Sequence, residues 1–512
     1  MSSAWYRPAI AVGVAIASVL ISLLVVQPFV DAPVGFDTQA TVAYFDRLAS
    51  GSRLEEALTT TPKPFLTIVY GLLHGLSNDW RPIVWATILA LGAGAGLAAV
   101  LAARAAGNVS GVLVGVAVAS TPLLVEDAAY ANAVPWALLG WAIAGVMLAA
   151  DRPRPIAAGL VLALAALCRL ETLVLVVIGA AALAWARFGP WPARFGPRPA
   201  PPSRAWLTVV IPFAALPVML VHDYLLTGNP LFWLDVSRRY SDAVRGQSEV
   251  AGPVERVVWF ARRFRPLWPL ALAAALGILV LVRRHAWLML VGLAGMGPGI
   301  AAFLVLLAAR GLFAPERYAL PVDIAVAASA AITAGSLVDL AADAVGRRRA
   351  GADAPSRIAA AVMVPVAALG CLAILGAGPF DTGTVQAIAD ARAVSGDLVK
   401  ALPALRPEGD AAPAPGVRWF VPGSVRPRTA VDLGVPLTSL RRLPADLLEP
   451  GAASLTSGQR IFFDRRAALP PGVARLGDGA PIAVGPLDLE PILSDPANGY
   501  WVYEVRPSTR SP

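Results

Sequence analysis

Apolar runs about as long as a bilayer is thick recur through the first three quarters of this chain. A backbone immersed in lipid can satisfy its own polar groups only as helices or closed barrels, and runs of this length fit helices. Residues 9–30 form the first, just over twenty residues and so enough to cross ~30 Å of hydrocarbon at ~1.5 Å per residue. It follows Arg7 and has no small-x-small cleavage site, so an uncleaved span is expected. Further spans are expected at 83–103, 109–124, 134–150, 156–168, 170–186, 205–226, 267–282, 286–309, 318–338 and 358–377, about eleven in all. Residues 63–76 are also apolar, but a run of about fourteen residues with Pro62 and Pro64 at its start suits an interfacial or re-entrant helix.

Composition agrees with a polytopic membrane protein: 57% of the 512 residues are hydrophobic, 15% are charged and mean hydropathy is +0.64. The net charge of +8 does not point to nucleic acid, because the arginines sit in loops between apolar runs, where they anchor helices to headgroups. Cys168 and Cys371 lie in or at the end of apolar runs and behave as small hydrophobes, so no disulfide is assumed. The Gly92-Ala93-Gly94-Ala95-Gly96 run falls inside a span and reads as a close-packing face, not a dinucleotide fingerprint. No Walker loop, hydrolase elbow or Cys/His cluster is present in the sequence.

After residue 377 the chain turns polar and proline-rich, with short alternating runs at 417–421, 460–464 and 500–505. Residues 378–512 are therefore expected to form a small α/β or mostly β domain outside the membrane, and 1–377 the transmembrane module with an outer loop at 31–82. Counting arginines by loop leaves the orientation open, since the 227–266 loop is itself arginine-rich. If 63–76 does not cross, the N-terminus is cytoplasmic. Asp37, the Glu126-Asp127 turn, the Arg169/Glu171 turn, His222-Asp223 and the 310–317 turn then open on one face, together with the C-terminal domain. A single site requires that grouping.

Ionisable groups at the ends of apolar runs are costly and mark functional positions by default. Asp37 heads the candidates, with Lys63, Glu126, Asp127, Arg169, Glu171 and Arg317 beside it. Each has an ordinary structural alternative. Asp37 could N-cap a helix over 38–48, and Glu126 and Asp127 could cap one too. Arg169 and Glu171 could simply pair at the interface, and Arg317 could be a headgroup anchor. His74 reads as a packed residue and His222-Asp223 as interfacial snorkelling.

The segments Phe36-Asp37-Thr38-Gln39-Ala40, Tyr44, Leu48-Ala49-Ser50-Gly51 and Thr61-Pro62-Lys63-Pro64-Phe65-Leu66 resemble the first outer loop of the GT-C integral-membrane glycosyltransferases. The branch is that of protein O-mannosyltransferases and aminoarabinose transferases. Thr121-Pro122-Leu123-Leu124-Val125-Glu126-Asp127, Cys168-Arg169-Leu170-Glu171-Thr172, Thr227-Gly228-Asn229-Pro230-Leu231 and Pro315-Glu316-Arg317-Tyr318-Ala319-Leu320-Pro321 extend the similarity over roughly the first 340 residues. Two departures stand out: the family's Asp-Glu pair is Asp37-Thr38, and its Lys-Pro-Pro element is Lys63-Pro64-Phe65.

The resemblance implies an inverting glycosyltransferase in the inner (plasma) membrane. It would move a sugar from a polyprenyl-phosphate donor to an extracytoplasmic acceptor: glycan, lipid or protein. Asp37 is then the general base, and Lys63, Arg169 and Arg317 are the cations for the lipid phosphate. Glu126 and Asp127 could bind acceptor, orient Arg169, or join Asp37 around a divalent cation. Two other classes stay open: a flippase of lipid-linked saccharide, which should show repeated halves and midplane polar groups, and a non-catalytic glycan-binding scaffold.

Overall fold

The computed structural model describes residues 34–54, 63–189, 204–238, 268–309, 316–348 and 382–405. In the C-terminal region it describes 419–422, 426–433, 440–442, 459–465, 480–484 and 487–508, with a few isolated positions elsewhere. Most of the expected span at 9–30, all of 358–377 and the expected domain boundary at 377/378 lie outside the described residues.

The helical part runs α1 (Phe36–Ser50), α2 (Pro64–Ser77), α3 (Arg81–Ala106), α4 (Asn108–Ala119), α5 (Pro122–Ala129), α6 (Val134–Leu148), α7 (Pro155–Cys168) and α8 (Thr172–Phe188). It continues as α9 (Leu207–Val210), a 3-10 turn Ile211–Ala214 and α10 (Ala215–Thr227). Then follow α11 (Trp268–Arg283), α12 (Trp287–Ala294), a π turn Gly295–Gly299, α13 (Ile300–Ala309) and α14 (Leu320–Arg348). Among the described residues four helices are long and apolar enough to cross a membrane, or five if the bent pair 108–119 and 123–129 is one span. Shorter apolar helices fall within other expected runs, and the described residues do not confirm a count of about eleven.

Helix ends follow local chemistry. α2, α3, α5, α6 and α7 each carry proline in the first two positions, where the missing N–H costs nothing because first-turn donors have no helical acceptor. Gly51 and Gly228 close α1 and α10 in the left-handed conformation that a side chain resists. The run expected as one span at 109–124 is broken, because Pro122 cannot donate back into α4 and a bend of 56° results. Close helix approach relies on missing side chains. A Cβ on Gly111 would sit 2.6 Å from that of Ala103, and one on Gly94 would lie 3.2 Å from Leu138. The glycine stretch at 92–96 is a packing face of α3, as its place in a span suggests.

The C-terminal region supplies α15 (Thr382–Leu405), α16 (Arg426–Leu433) and a mixed sheet of β1 (Trp419–Val421), β2 (Leu440–Arg442), β3 (Arg460–Asp464), β4 (Ile482–Val484), β5 (Leu487–Asp495) and β6 (Tyr500–Pro507). Its order is β2-β1-β3-β6-β5-β4, with β1 parallel to both β2 and β3 and the remaining pairs antiparallel. Alternation sorts the strands onto two cores. Trp419, Val421, Phe462, Tyr500 and Val502 pack with Leu398 and Leu405 of α15 and with Tyr44, Leu54 and Leu226 of the helical part. Phe420, Ile461, Phe463, Trp501 and Tyr503 build the other core. One sheet face therefore packs on α15 and shares a core with Tyr44 of α1, the helix that carries Asp37.

Candidate active site

The N-terminus of α1 is fixed by backbone and hydroxyl contacts. Gly35 N–H donates to the Tyr130 carbonyl at 2.7 Å, and Thr38 Oγ1 donates to the Ala131 carbonyl at 2.8 Å. Where an Asp-Glu pair carries a second acid, Thr38 ties α1 to the end of α5. Asp37 lies in the first helical turn, where the N-terminal dipole favours a carboxylate, but it does not cap: Gly35 occupies the cap position without a side-chain bond. The carboxylate instead accepts from Lys63 Nζ at 2.9 Å. Lys63 is the cap residue of α2, so the pair joins the starts of two helices 26 residues apart.

Arg169 and Glu171 occupy the turn between α7 and α8. They form a buried ion pair at 2.7 Å, with side chains 8% and 5% exposed. The Arg169 guanidinium also lies 5.0 Å from the Tyr318 ring centroid, a cation–π arrangement that orients its plane. Asp127 accepts from Asn132 Nδ2 at 2.9 Å, and its charge reaches Arg169. Glu126 is half-buried next to it. Both acids fall at the C-terminal end of α5, opposite to where capping carboxylates belong, so the capping alternative does not describe them. α2, which starts just after Lys63, packs against α7, which ends directly before Arg169. Asp37, Lys63, Asp127, Arg169 and Glu171 thus gather at one end of the helical bundle. Arg317 falls in the 3-10 turn Glu316–Ala319, beside Tyr318, with its side chain outside the described residues.

His222 and Asp223 sit differently from the snorkelling expectation. Both are buried, at 6% and 5% exposure. His222 Nδ1 lies 3.3 Å from Asp223 Oδ1, its Nε2 lies 3.4 Å from Thr67 Oγ1, and the Tyr44 ring meets it edge-on. Asp223 Oδ2 accepts the Trp233 N–H at 3.0 Å, which holds the start of the 228–238 segment. Adjacent His and Asp near a span end is the sequence signal for this pair, but spacing alone does not report that α1 and α2 cover it.

Inside the bundle is an apolar cavity of about 460 Å³, lined among others by Leu138, Trp141, Leu175 and Val176 at mid-bundle and by Leu148, Trp185, Ala205 and Trp287 toward the helix ends opposite the Arg169 turn. Trp141, in its wall, donates from Nε1 to Thr172 Oγ1 at 3.0 Å. Among the described residues no three His, Cys, Asp or Glu side chains converge as metal ligands.

No protein-family model matches the chain, and no curated protein does. Solved structures do. ArnT from Cupriavidus metallidurans in the apo state aligns over 98% of this chain and 98% of its own, with a TM-score of 0.52 at 14% identity. The Archaeoglobus fulgidus oligosaccharyltransferase in the apo form aligns over 90% of this chain and 70% of its own, with a TM-score of 0.50 at 12% identity. The chain has the fold of these GT-C glycosyltransferases, the same group its loop motifs resemble.

Proposed function

We propose that this protein is a membrane glycosyltransferase that moves a sugar from a polyprenyl-phosphate donor to an acceptor hydroxyl outside the cytoplasm. The observation that carries the reading is the Asp37–Lys63 pair at 2.9 Å, at the end of a GT-C bundle where Arg169 also gathers. Asp37 accepts the acceptor's proton as its oxygen attacks the anomeric carbon, and the lipid phosphate departs with the bonding electrons. One displacement from the opposite face inverts the centre. Lys63 connects the two events: when the donor phosphate arrives it competes for the ammonium, which leaves the Asp37 carboxylate for the acceptor. Arg169, oriented by Glu171 and Tyr318, and Arg317 in the adjoining turn are the other phosphate cations. Glu126 and Asp127 line the acceptor side. The apolar cavity within the bundle suits a prenyl chain rather than a water-soluble nucleotide donor.

The test is transfer of labelled sugar from a panel of polyprenyl-phosphate donors by wild type and Asp37→Asn, with and without chelator. Loss of a general base should lower kcat by about 10²–10⁴-fold while donor binding persists. Full activity in Asp37→Asn would reject the base assignment. Absence of turnover in wild type across the panel would favour a flippase or scaffold. Loss of wild-type activity with chelator would require a cation at the site.

A further inference from the structure

We propose that α16 of the C-terminal region is a positioning element of the centre around Asp37, acting through Gln39 and Arg428. Its kinetic consequence rests on the function proposed above; its structural consequence does not.

Gln39 is 1% exposed and two residues beyond Asp37. Its Nε2 donates to the Val34 carbonyl at 2.8 Å, and its Oε1 accepts the Arg428 N–H at 3.2 Å, across 389 residues of chain. Arg428 is the third residue of α16, so its N–H is among the first-turn donors that no helix can use internally. Here that donor is placed in a buried amide of α1. The Arg428 side chain holds a second point: Asp432, one turn on, accepts from its Nε at 3.1 Å, and the guanidinium lies 5.8 Å from the Trp80 ring centroid at the start of α3. Arg426 anchors the other side, donating from Nε to the Leu440 carbonyl of β2 at 2.9 Å.

A chain of contacts therefore runs from the C-terminal sheet through α16 to the residues flanking Asp37. On one side Gly35 and Thr38 are held by the Tyr130 and Ala131 carbonyls; on the other, Gln39 is held by Arg428. Truncating the buried amide removes its bonds to Val34 O and Arg428 N–H, which releases the turn that aims the carboxylate. Lys63 and Arg169 are carried by α2 and by the α7–α8 turn, so donor affinity should survive a change that spoils alignment. Angstrom-scale misplacement of a catalytic group costs up to ~10²-fold in rate.

The test uses full-length protein carrying Gln39→Met, Gln39→Glu or Arg428→Ala, and compares hydrogen exchange over 34–41, Tm, kcat and donor KM. Gln39→Met keeps the volume but neither accepts nor donates. It should exchange ~10-fold faster over 34–41, with kcat down ~10- to 100-fold and donor KM within ~2-fold. Gln39→Glu keeps an acceptor for Arg428 N–H but loses the donor to the Val34 carbonyl and buries a charge, so it should recover neither. Arg428→Ala keeps the backbone N–H and loses only the Asp432 and Trp80 contacts, so its exchange over 34–41 should lie closer to wild type than that of Gln39→Met. Unchanged exchange over 34–41 in Gln39→Met overturns the proposal. If Gln39→Met does not fold, Arg428→Pro, which deletes the N–H at a first-turn position, decides by the same exchange readout. If wild type shows no transfer, the function reading fails by itself, and the exchange data still decide whether α16 positions this turn.

Discussion

Lys63 reaches Asp37 from the cap position of another helix, and the charge-assisted bond it makes there is the kind that trades partners readily when a phosphate arrives. Lys63→Met is expected to raise donor KM by about 10- to 100-fold, the worth of one hydrogen bond to a charged group, and Lys63→Arg to recover part of it; steady-state kinetics over donor concentration check this. Arg169 and Glu171 are a different case, since both are buried. Removing one partner strands a charge, so Glu171→Leu should destabilise by about 3–5 kcal/mol in detergent unfolding. The double variant Arg169→Met with Glu171→Leu should regain most of that stability without regaining transfer. These acids and bases were legible in the sequence because each interrupts or borders an apolar run. The Arg169–Glu171 pairing was legible too, since two residues share one short turn. The Asp37–Lys63 pairing was not, because it depends on how α1 and α2 come together. His222 and Asp223 were misjudged for the same reason: their burial is produced by Thr67 and Tyr44 from two other helices.

At the level of elements, hydropathy located the helices but not their direction. Residues 109–124 are apolar throughout, yet Pro122 turns the chain and so delivers Glu126 and Asp127 to the site end. The π turn Gly295–Gly299, with Pro298 inside it, is equally invisible to an average over an apolar run. The end of α2 carries a pH dependence through His74. His74 stacks on Trp80 with ring centroids 4.5 Å apart, faced by Asp432, Asp46, Arg428 and Asp79. Burial holds its imidazole below the usual histidine range, against the pull of Asp432 and Asp46. Because the folded-state value is the lower one, neutral His74 contributes its full stability above the ordinary value near 6.5, and that contribution is lost as pH falls through the folded-state value. Tm should therefore drop on acidification below about pH 6.5, and His74→Phe should flatten the dependence, as thermal unfolding across a pH series would show.

For the whole molecule, the alternating strands at 417–421, 460–464 and 500–505 announced a sheet, while its mixed order and the core it shares with Tyr44 of α1 came only from tertiary pairing. Phe462 and Phe463 face opposite cores. Each alanine variant should cost about 3–5 kcal/mol, but only Phe462→Ala should loosen α1; hydrogen exchange at residues 40–48 separates the two.

The helices on either side of the Arg169 turn are short, 14 residues in α7 and 17 in α8. At ~1.5 Å per residue α7 spans only about 21 Å, well under the ~30 Å of an ordinary hydrocarbon core, whereas the 26 residues of α3 exceed it. A polar turn at the end of so short a helix would lie beneath the headgroups of an ordinary bilayer unless the bilayer around the protein were thin. The expected match is therefore to short acyl chains. In vesicles of graded chain length, transfer should peak in thinner bilayers and decline as the chains lengthen, and α3, long enough for any of them, should keep its exchange protection throughout.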